Sequence, residues 1–249
     1  IQLLPREAGG GIPALRIDDW TTLPQRGISL DLFSGEVYTM DMFKECVRRL
    51  AHYKMNLLVP YFEDAFEFPS HPDIGLGRDR MTFAEAKELV AYARKHHVEI
   101  IPCYDSPGHI GHTLRHPNYQ YLQEGDKEPS IINVTHPDTY PLLRDLYGDL
   151  CEAFPAPVMY VSGDEAIAIG RSKSKPVLDK VGAENLFLRH VKILRDFLKD
   201  KGKRMALACD PFEPEFFKAF GLQNYGIEAL QKLPKDVIIG PWHYGKMTE

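Results

Sequence analysis

The chain has 249 residues, a formal net charge of −5, 44% hydrophobic and 26% charged residues, the balance of an ordinary globular domain long enough for one large core. The mildly acidic total, with a pI near 6.1, lacks the basic face that nucleic acid requires. No apolar run approaches the ~18 residues of a membrane span, so neither a nucleic acid nor a membrane is an expected partner. Four cysteines, Cys46, Cys103, Cys151 and Cys209, are too few and too scattered for a disulfide scaffold or a zinc motif and read as small core residues. One disulfide and the compartment stay open. A chain that begins at Ile1 reads as trimmed or processed, with no signal peptide left to read.

Residues 1–25 read as an irregular lead-in, broken by Gly9-Gly10-Gly11 and Pro13. From Arg26 strands and helices alternate. Residues 28–33 form an apolar strand, and residues 39–53 follow with helical spacing of Met42, Phe43, Cys46, Val47 and Leu50, capped by Thr39. Residues 56–62 are a second strand. A long loop, 63–80, carries Phe66 and Phe68 and precedes a helix over 82–97, where Thr82 and Glu85 spell a capping box. A third strand, 98–104, ends in Asp105-Ser106-Pro107-Gly108-His109. A second long loop then runs to about Pro137.

A helix over 138–154 leads to a fourth strand, 158–161, which ends in Ser162-Gly163-Asp164-Glu165. An amphipathic helix over 183–201 places Leu186, Leu188, Val191, Leu194 and Leu198 on one side. A fifth strand, 204–209, short helices around 213–220 and 227–231, and a sixth strand, 237–242, complete the pattern. Continuous apolar strands separated by helices predict an α/β fold with a parallel sheet buried on both faces. The loops rich in His, Asp and aromatic residues all follow strands, while the returns from helix to strand are short. That asymmetry is expected of a TIM-type (β/α) barrel working at its strand C-termini. An open doubly wound sheet is disfavoured, because Asp31-Leu32-Phe33-Ser34-Gly35 after the first strand is no glycine-rich phosphate loop. Residues 26–249 read as one barrel domain.

Two adjacent carboxylates at the end of a buried strand need a partner or a use. A solvated loop and a working site are equally compatible with Asp164-Glu165 taken alone. Read together, Arg26-Gly27-Ile28-Ser29-Leu30-Asp31, the stretch from Asn56 through Asp64 to Phe68-Pro69, Asp105-Ser106-Pro107-Gly108-His109 and Gly163-Asp164-Glu165 resemble, in order and spacing, the catalytic barrel of glycoside hydrolase family 20, the β-N-acetylhexosaminidases.

The resemblance covers roughly residues 13–243 and implies an eight-stranded barrel, of which about six strand–helix units are present. It also implies a retaining, substrate-assisted mechanism, in which the sugar's own 2-acetamido oxygen attacks the anomeric carbon to form an oxazolinium ion. On this reading Glu165 is the general acid and later the base. It has to hold a proton near neutral pH, which burial and a neighbouring negative charge favour. Asp164 stays ionised, orients the acetamido N–H and stabilises the developing positive charge. Neighbouring strand residues point to opposite sides, so both acids can face the sugar only if the strand distorts, which Gly163 permits.

The resemblance further assigns Arg26 to gripping sugar hydroxyls, and Asp64 and His109 to a carboxylate–histidine pair beside the acid. Asp105 orients site groups, Trp242 walls the acetamido pocket, and Tyr160 joins the substrate-binding set at a position where many members have His. Asp31 is assigned to structure. His112, His116 and Tyr119 lie in a loop that could touch an aglycone. Cys103 stands where many members have Glu, and the fifth strand lacks the expected tryptophan.

The partner implied is a carbohydrate, an N-acetylhexosaminide, with no cofactor and no metal site expected. A second copy or a second segment could close the barrel, and a secreted or periplasmic location follows from the resemblance alone. Two rivals stand beside this reading: an amino-sugar-binding barrel that does not cut, and a barrel glycosidase with two separated carboxylates acting on plain β-glucosides.

Overall fold

A computed structural model describes residues 14, 16–32, 34, 38–166, 169–213 and 225–241. Its central sheet is parallel. Strands β1 (Gly27–Asp31), β2 (Leu57–Tyr61) and β3 (Glu99–Ile100) pair side by side, as do β6 (Val158–Ser162), β7 (Arg204–Ala208) and β8 (Ile238–Gly240). Backbone bonds beyond β3 join the two sets. Ile101 and Cys103 donate to Leu58 and Pro60 at 3.0 and 2.9 Å, and Tyr160 donates to Pro102 at 3.1 Å. The spatial order of the strands therefore follows the chain order, with helices as crossovers.

The helices are α1 (Met40–His52), α2 (Phe83–Lys95), α4 (Thr139–Ala153) and α6 (Ala183–Asp200), with α3 (Gly111–Arg115), α5 (Lys175–Val181) and α7 (Gly226–Lys232) shorter. In the outer layer α1 packs on α2, α2 on α4, α4 on α6 and α6 on α7. The caps expected from the sequence form: Thr39 Oγ1 accepts from Met42 N, and Thr82 and Glu85 close a complete capping box. Among the described residues no helix is long and apolar enough to cross a membrane. The four cysteines are free thiols.

The sheet has two faces of different character. Leu58, Ile100, Met159, Val161, Met205 and Leu207 point outward into the large core with Val47, Leu89, Leu146, Leu150 and Leu194 of the helices. Alternation turns Tyr61, Cys103 and Tyr160 to the other side, where the isolated bridges Tyr61–Cys103 and Cys103–Tyr160 align them across three neighbouring strands. One expectation fails here. β1 is mostly exposed, with Ile28 at 38%, because it has β2 alone as a strand neighbour among the described residues. An apolar run implies burial on both faces only when both sides are covered.

The two stretches read as long loops are built structures. The 63–80 loop rests on fully buried rings: Phe66 meets Phe62 at 5.5 Å and Phe68 at 5.1 Å, Phe68 meets Tyr104 at 5.6 Å, and Tyr104 meets Tyr147 at 5.6 Å. Edge-on contacts of this kind add to simple burial. Gly75, at φ 68°, closes the loop against Asp64, whose carbonyl oxygen would lie 2.1 Å from any Cβ there. The 108–137 loop holds α3, a 3₁₀ turn (Gln120–Leu122) and an antiparallel hairpin of β4 (Gln123–Gly125) with β5 (Glu128–Ile132). Its anchor is the buried Glu124, whose carboxylate accepts from Ser172 N, Ser174 N and Ser174 Oγ at 2.8, 3.0 and 2.6 Å. Donors from the segment after Asp164-Glu165 thus satisfy a buried acid in the preceding loop.

Candidate active site

Backbone conformation marks the functional end of the sheet. Six non-glycine residues among those described have positive φ. Two, Lys54 and His97, follow the C-caps of α1 and α2, where the left-handed conformation is ordinary. The other four are Glu63 (49°), His109 (47°), Ser162 (62°) and Glu165 (47°), at or beyond the C-terminal ends of β2, β3 and β6. Such conformations cost energy and persist where surrounding contacts enforce them. The distortion needed to bring Asp164 and Glu165 to one side is present. Tyr160 pairs with Ala206 and Ser162 with Leu207, leaving Val161 as an extra residue in β6. Ser162 and Gly163 (73°) then turn left-handed.

The two acids meet His109, whose Nε2 lies 3.3 Å from Glu165 Oε2 and 3.6 Å from Asp164 Oδ2. Asp164 is the more enclosed, at 20% exposure against 42% for Glu165, so burial is not what sets Glu165 apart. Asp164 Oδ1 accepts from Ser162 Oγ, and the Glu165 backbone N–H donates to the buried Asp210 at 2.9 Å. The turn is thereby pinned from its own strand and from the end of β7. Tyr225, stacked on Phe187 at 4.7 Å, donates its hydroxyl to Ala166 O at 2.8 Å and holds the far side.

Asp105 lies beneath this turn, 1% exposed. It accepts from Tyr61 Oη at 2.9 Å and Gly163 N at 2.8 Å. Burial drives its carboxyl well above the usual carboxylate range, and the negative charge of Asp164 adds to that. The shift favours the protonated form of Asp105, and Asp164, its hydrogen-bond partner, contributes to it. Burial first, and neighbouring acidic groups next, raise Tyr61, Cys103 and Tyr160, so these three side chains below the acids are neutral. Cys103 adds no further charge there.

Behind Asp105 runs a buried network. Ser106 Oγ lies 3.0 Å from Tyr147 Oη and 3.1 Å from His190 Nε2, and Tyr147 donates to Tyr104 O at 2.8 Å. Burial lowers the His190 imidazole to about 4. Below pH 6.5 the unfolded chain therefore takes up a proton that the folded chain refuses until pH approaches 4, and His190 removes stability as pH falls through that window. The stability advantage of wild type over His190→Asn should shrink between pH 6.5 and 4, read by urea midpoints; an advantage constant with pH would contradict a neutral buried His190.

Two sequence assignments are corrected. Arg26 is at the opposite end of the barrel: it precedes β1, and its guanidinium donates to Lys54 O at 3.0 Å and to Thr21 Oγ1 at 3.0 Å. A residue that enters a strand faces the N-terminal rim, so Arg26 ties the lead-in segment to the α1–β2 return. Asp64 does not pair with His109. Its Oδ1 takes Arg78 Nη1 at 2.6 Å, and its Oδ2 lies 3.5 Å from His112 Nδ1. A guanidinium and an imidazole close at hand satisfy the carboxylate, leaving His109 to Asp164 and Glu165. Trp242 lies outside the described residues.

Asp31 accepts from Ser34 N at 3.1 Å and so shapes its own turn. His116 and Tyr119 clamp loops: Tyr119 Oη donates to Asp73 at 2.7 Å, and His116 Nδ1 lies 3.5 Å from the same carboxylate. Tyr61, Arg78 and Asp210 belong to the site and escape the sequence reading, and His112, expected in a loop beside an aglycone, sits against Asp64. Tyr61 and Asp210 are at strand ends and could have been flagged by position. Arg78 comes to Asp64 only through the fold of the 63–80 loop. Asp105, His109 and Asp164 bring one ligand atom each within 4.8 Å of one another and could hold a metal ion. Two cavities, about 320 Å³ beside Phe43 and Met81 and about 400 Å³ beneath Leu57 and Ile100, lie away from the acids.

Residues 24–247 match the glycosyl hydrolase family 20 catalytic domain. Over 230 residues the chain is 25% identical to a β-N-acetylhexosaminidase of Cellulomonas fimi, covering 82% of this chain and 43% of that protein. In structure it resembles the exo-β-N-acetylglucosaminidase of Vibrio harveyi in complex with N-acetylglucosamine, at TM-score 0.70 and 20% identity, over 88% of this chain and 38% of that one. It also resembles the β-N-acetylhexosaminidase of Streptomyces coelicolor, at TM-score 0.71 and 20% identity, over 94% and 45%. The chain thus spans less than half the length of each of these relatives, and its α/β fold with parallel strands is TIM-barrel-like. With the fold, the strand-end acids and the match over 24–247 in agreement, the chain belongs to glycosyl hydrolase family 20, as a catalytic domain.

Proposed function

We propose that this chain carries the acid machinery of a retaining β-N-acetylhexosaminidase, which removes terminal β-linked N-acetylglucosamine or N-acetylgalactosamine by substrate-assisted catalysis. The observation that carries the reading is the distorted end of β6, where Asp164 and Glu165 converge with His109 within 3.6 Å. Glu165, the more open acid, protonates the departing glycosidic oxygen and then draws the proton from the water that opens the oxazolinium ring. Asp164, backed by Asp105 and by Ser162, accepts from the acetamido N–H and opposes the positive charge that forms there. Tyr160 on the inner face lies beneath the sugar, and Asp64 with Arg78 and His112 forms its polar flank.

On this reading residues 1–25 are a lead-in and residues 26–249 a barrel domain with about six of eight strand–helix units. The relatives' activity supports a carbohydrate substrate. The one-sided pairing of β1 and β8 among the described residues favours a second reading, an amino-sugar-binding barrel without turnover. An aryl N-acetyl-β-glucosaminide and the matching β-glucoside, each offered to the 249-residue chain, separate the readings. Cleavage of the first alone is expected. Cleavage of both points to two separated carboxylates, and tight binding of an oxazoline-mimicking thiazoline without cleavage of either points to the binding barrel.

A further inference from the structure

The acids at the end of β6 are electrically lopsided. Asp105, Asp164 and Glu165 are near one another, and among the described residues none of the three is paired with a lysine or arginine; the imidazole of His109 stands beside them. A buried carboxylate without a cation is costly, and Asp105 is almost fully buried. A metal cation at this place would meet that cost.

We propose that Asp105, His109 and Asp164 bind a single Zn²⁺ ion, and that its occupancy shuts the site. The donor set is an imidazole nitrogen and two carboxylates, which suits Zn²⁺ and not the all-oxygen preference of Mg²⁺ or Ca²⁺. Tetrahedral zinc with bonds of about 2.0–2.2 Å spaces its ligand atoms about 3.3–3.5 Å apart. His109 Nε2 and Asp164 Oδ2 already stand 3.6 Å apart, and no two of the three ligand atoms are separated by more than 4.8 Å. The remaining contraction falls on His109 and Asp164, which are 30% and 20% exposed and able to turn. Asp105 is the fixed point, held by Tyr61 and Gly163. Three protein ligands leave a fourth position for water.

The blocking half of the inference rests on the catalytic reading. An ion on Asp164 occupies the group that would receive the acetamido N–H, and an ion on His109 draws the imidazole from Glu165. No chemical step is assigned to the metal; it competes with the sugar.

Calorimetric titration of ZnCl₂ into the 249-residue chain, in a non-chelating buffer and without substrate, tests the site itself. One ion per chain is expected, with affinity at least tenfold weaker in His109→Ala and in Asp164→Asn, each confirmed as folded by its far-ultraviolet spectrum. No heat of binding up to millimolar Zn²⁺, or equal affinity in wild type and both variants, overturns the site. On an aryl N-acetyl-β-glucosaminide, Zn²⁺ should inhibit competitively at the concentration at which it binds, and a chelator should restore the rate. Hydrolysis that continues unchanged with the ion bound overturns the blocking. A chain that binds Zn²⁺ yet cleaves no acetamido sugar refutes the catalytic reading and upholds the metal site.

Discussion

Replacing Glu165 by Gln should lower kcat/KM on N-acetyl-β-glucosaminides with sugar or alkyl leaving groups by about 10²–10⁴-fold, the usual worth of a positioned proton donor. The substitution is nearly isosteric. It leaves the backbone bond from residue 165 to Asp210 untouched and keeps a polar atom facing His109. What it removes is the transferable proton. The loss should therefore depend on the aglycone. A dinitrophenolate departs without help, so its release should be far less impaired, whereas hydrolysis of the oxazolinium ring, which needs the same group as base, should remain slow. A loss equal for good and poor leaving groups would contradict the acid role of Glu165 and place the effect in folding or binding.

Asp164→Asn should cost about 10²–10³-fold in kcat, the scale found when one charge-stabilising group is removed from a developing ionic transition state. Asn keeps the shape and an oxygen for the Ser162 hydroxyl, but it loses the negative charge. It also removes the negative charge that, after burial, raises the Asp105 carboxyl. The damage belongs to the step in which positive charge grows on the acetamido group, so KM should move much less than kcat. A variant with normal kcat and a raised KM would make Asp164 a ground-state binding residue only.

The elements that can be read from the sequence are those whose causes are local. Thr39 and Thr82 cap their helices with atoms three residues away, and the stripe of Leu186, Val191, Leu194 and Leu198 on α6 follows from helical spacing alone. The Gly163-Asp164-Glu165 turn is legible for the same reason: its residues are adjacent, and two acids at the end of a buried strand leave the backbone few ways to continue. Pairings across loops have no such signature. Asp64 takes Arg78 and His112 as partners in place of His109, a choice made by how Gly75 folds the 63–80 loop back onto Asp64. Arg26 invites assignment to the wrong rim because an arginine beside a strand does not reveal which end of the strand faces the site. The Glu124 anchor and the buried His190 look like surface residues in sequence; both are polar side chains whose partners, the Ser172–Ser174 segment and Ser106, lie far away along the chain.

The central claim is that the sugar's own acetamido oxygen is the nucleophile and that Asp164 supports it while Glu165 moves the proton. Fluorination of the substrate tests it most directly, because each fluorine on the N-acetyl methyl withdraws electrons from that oxygen without altering the aglycone. With a series of aryl N-acetyl-, N-fluoroacetyl-, N-difluoroacetyl- and N-trifluoroacetyl-β-glucosaminides, kcat/KM for the 249-residue chain should fall steeply and progressively. A rate that does not change across the series would place the nucleophile on the protein and contradict the account.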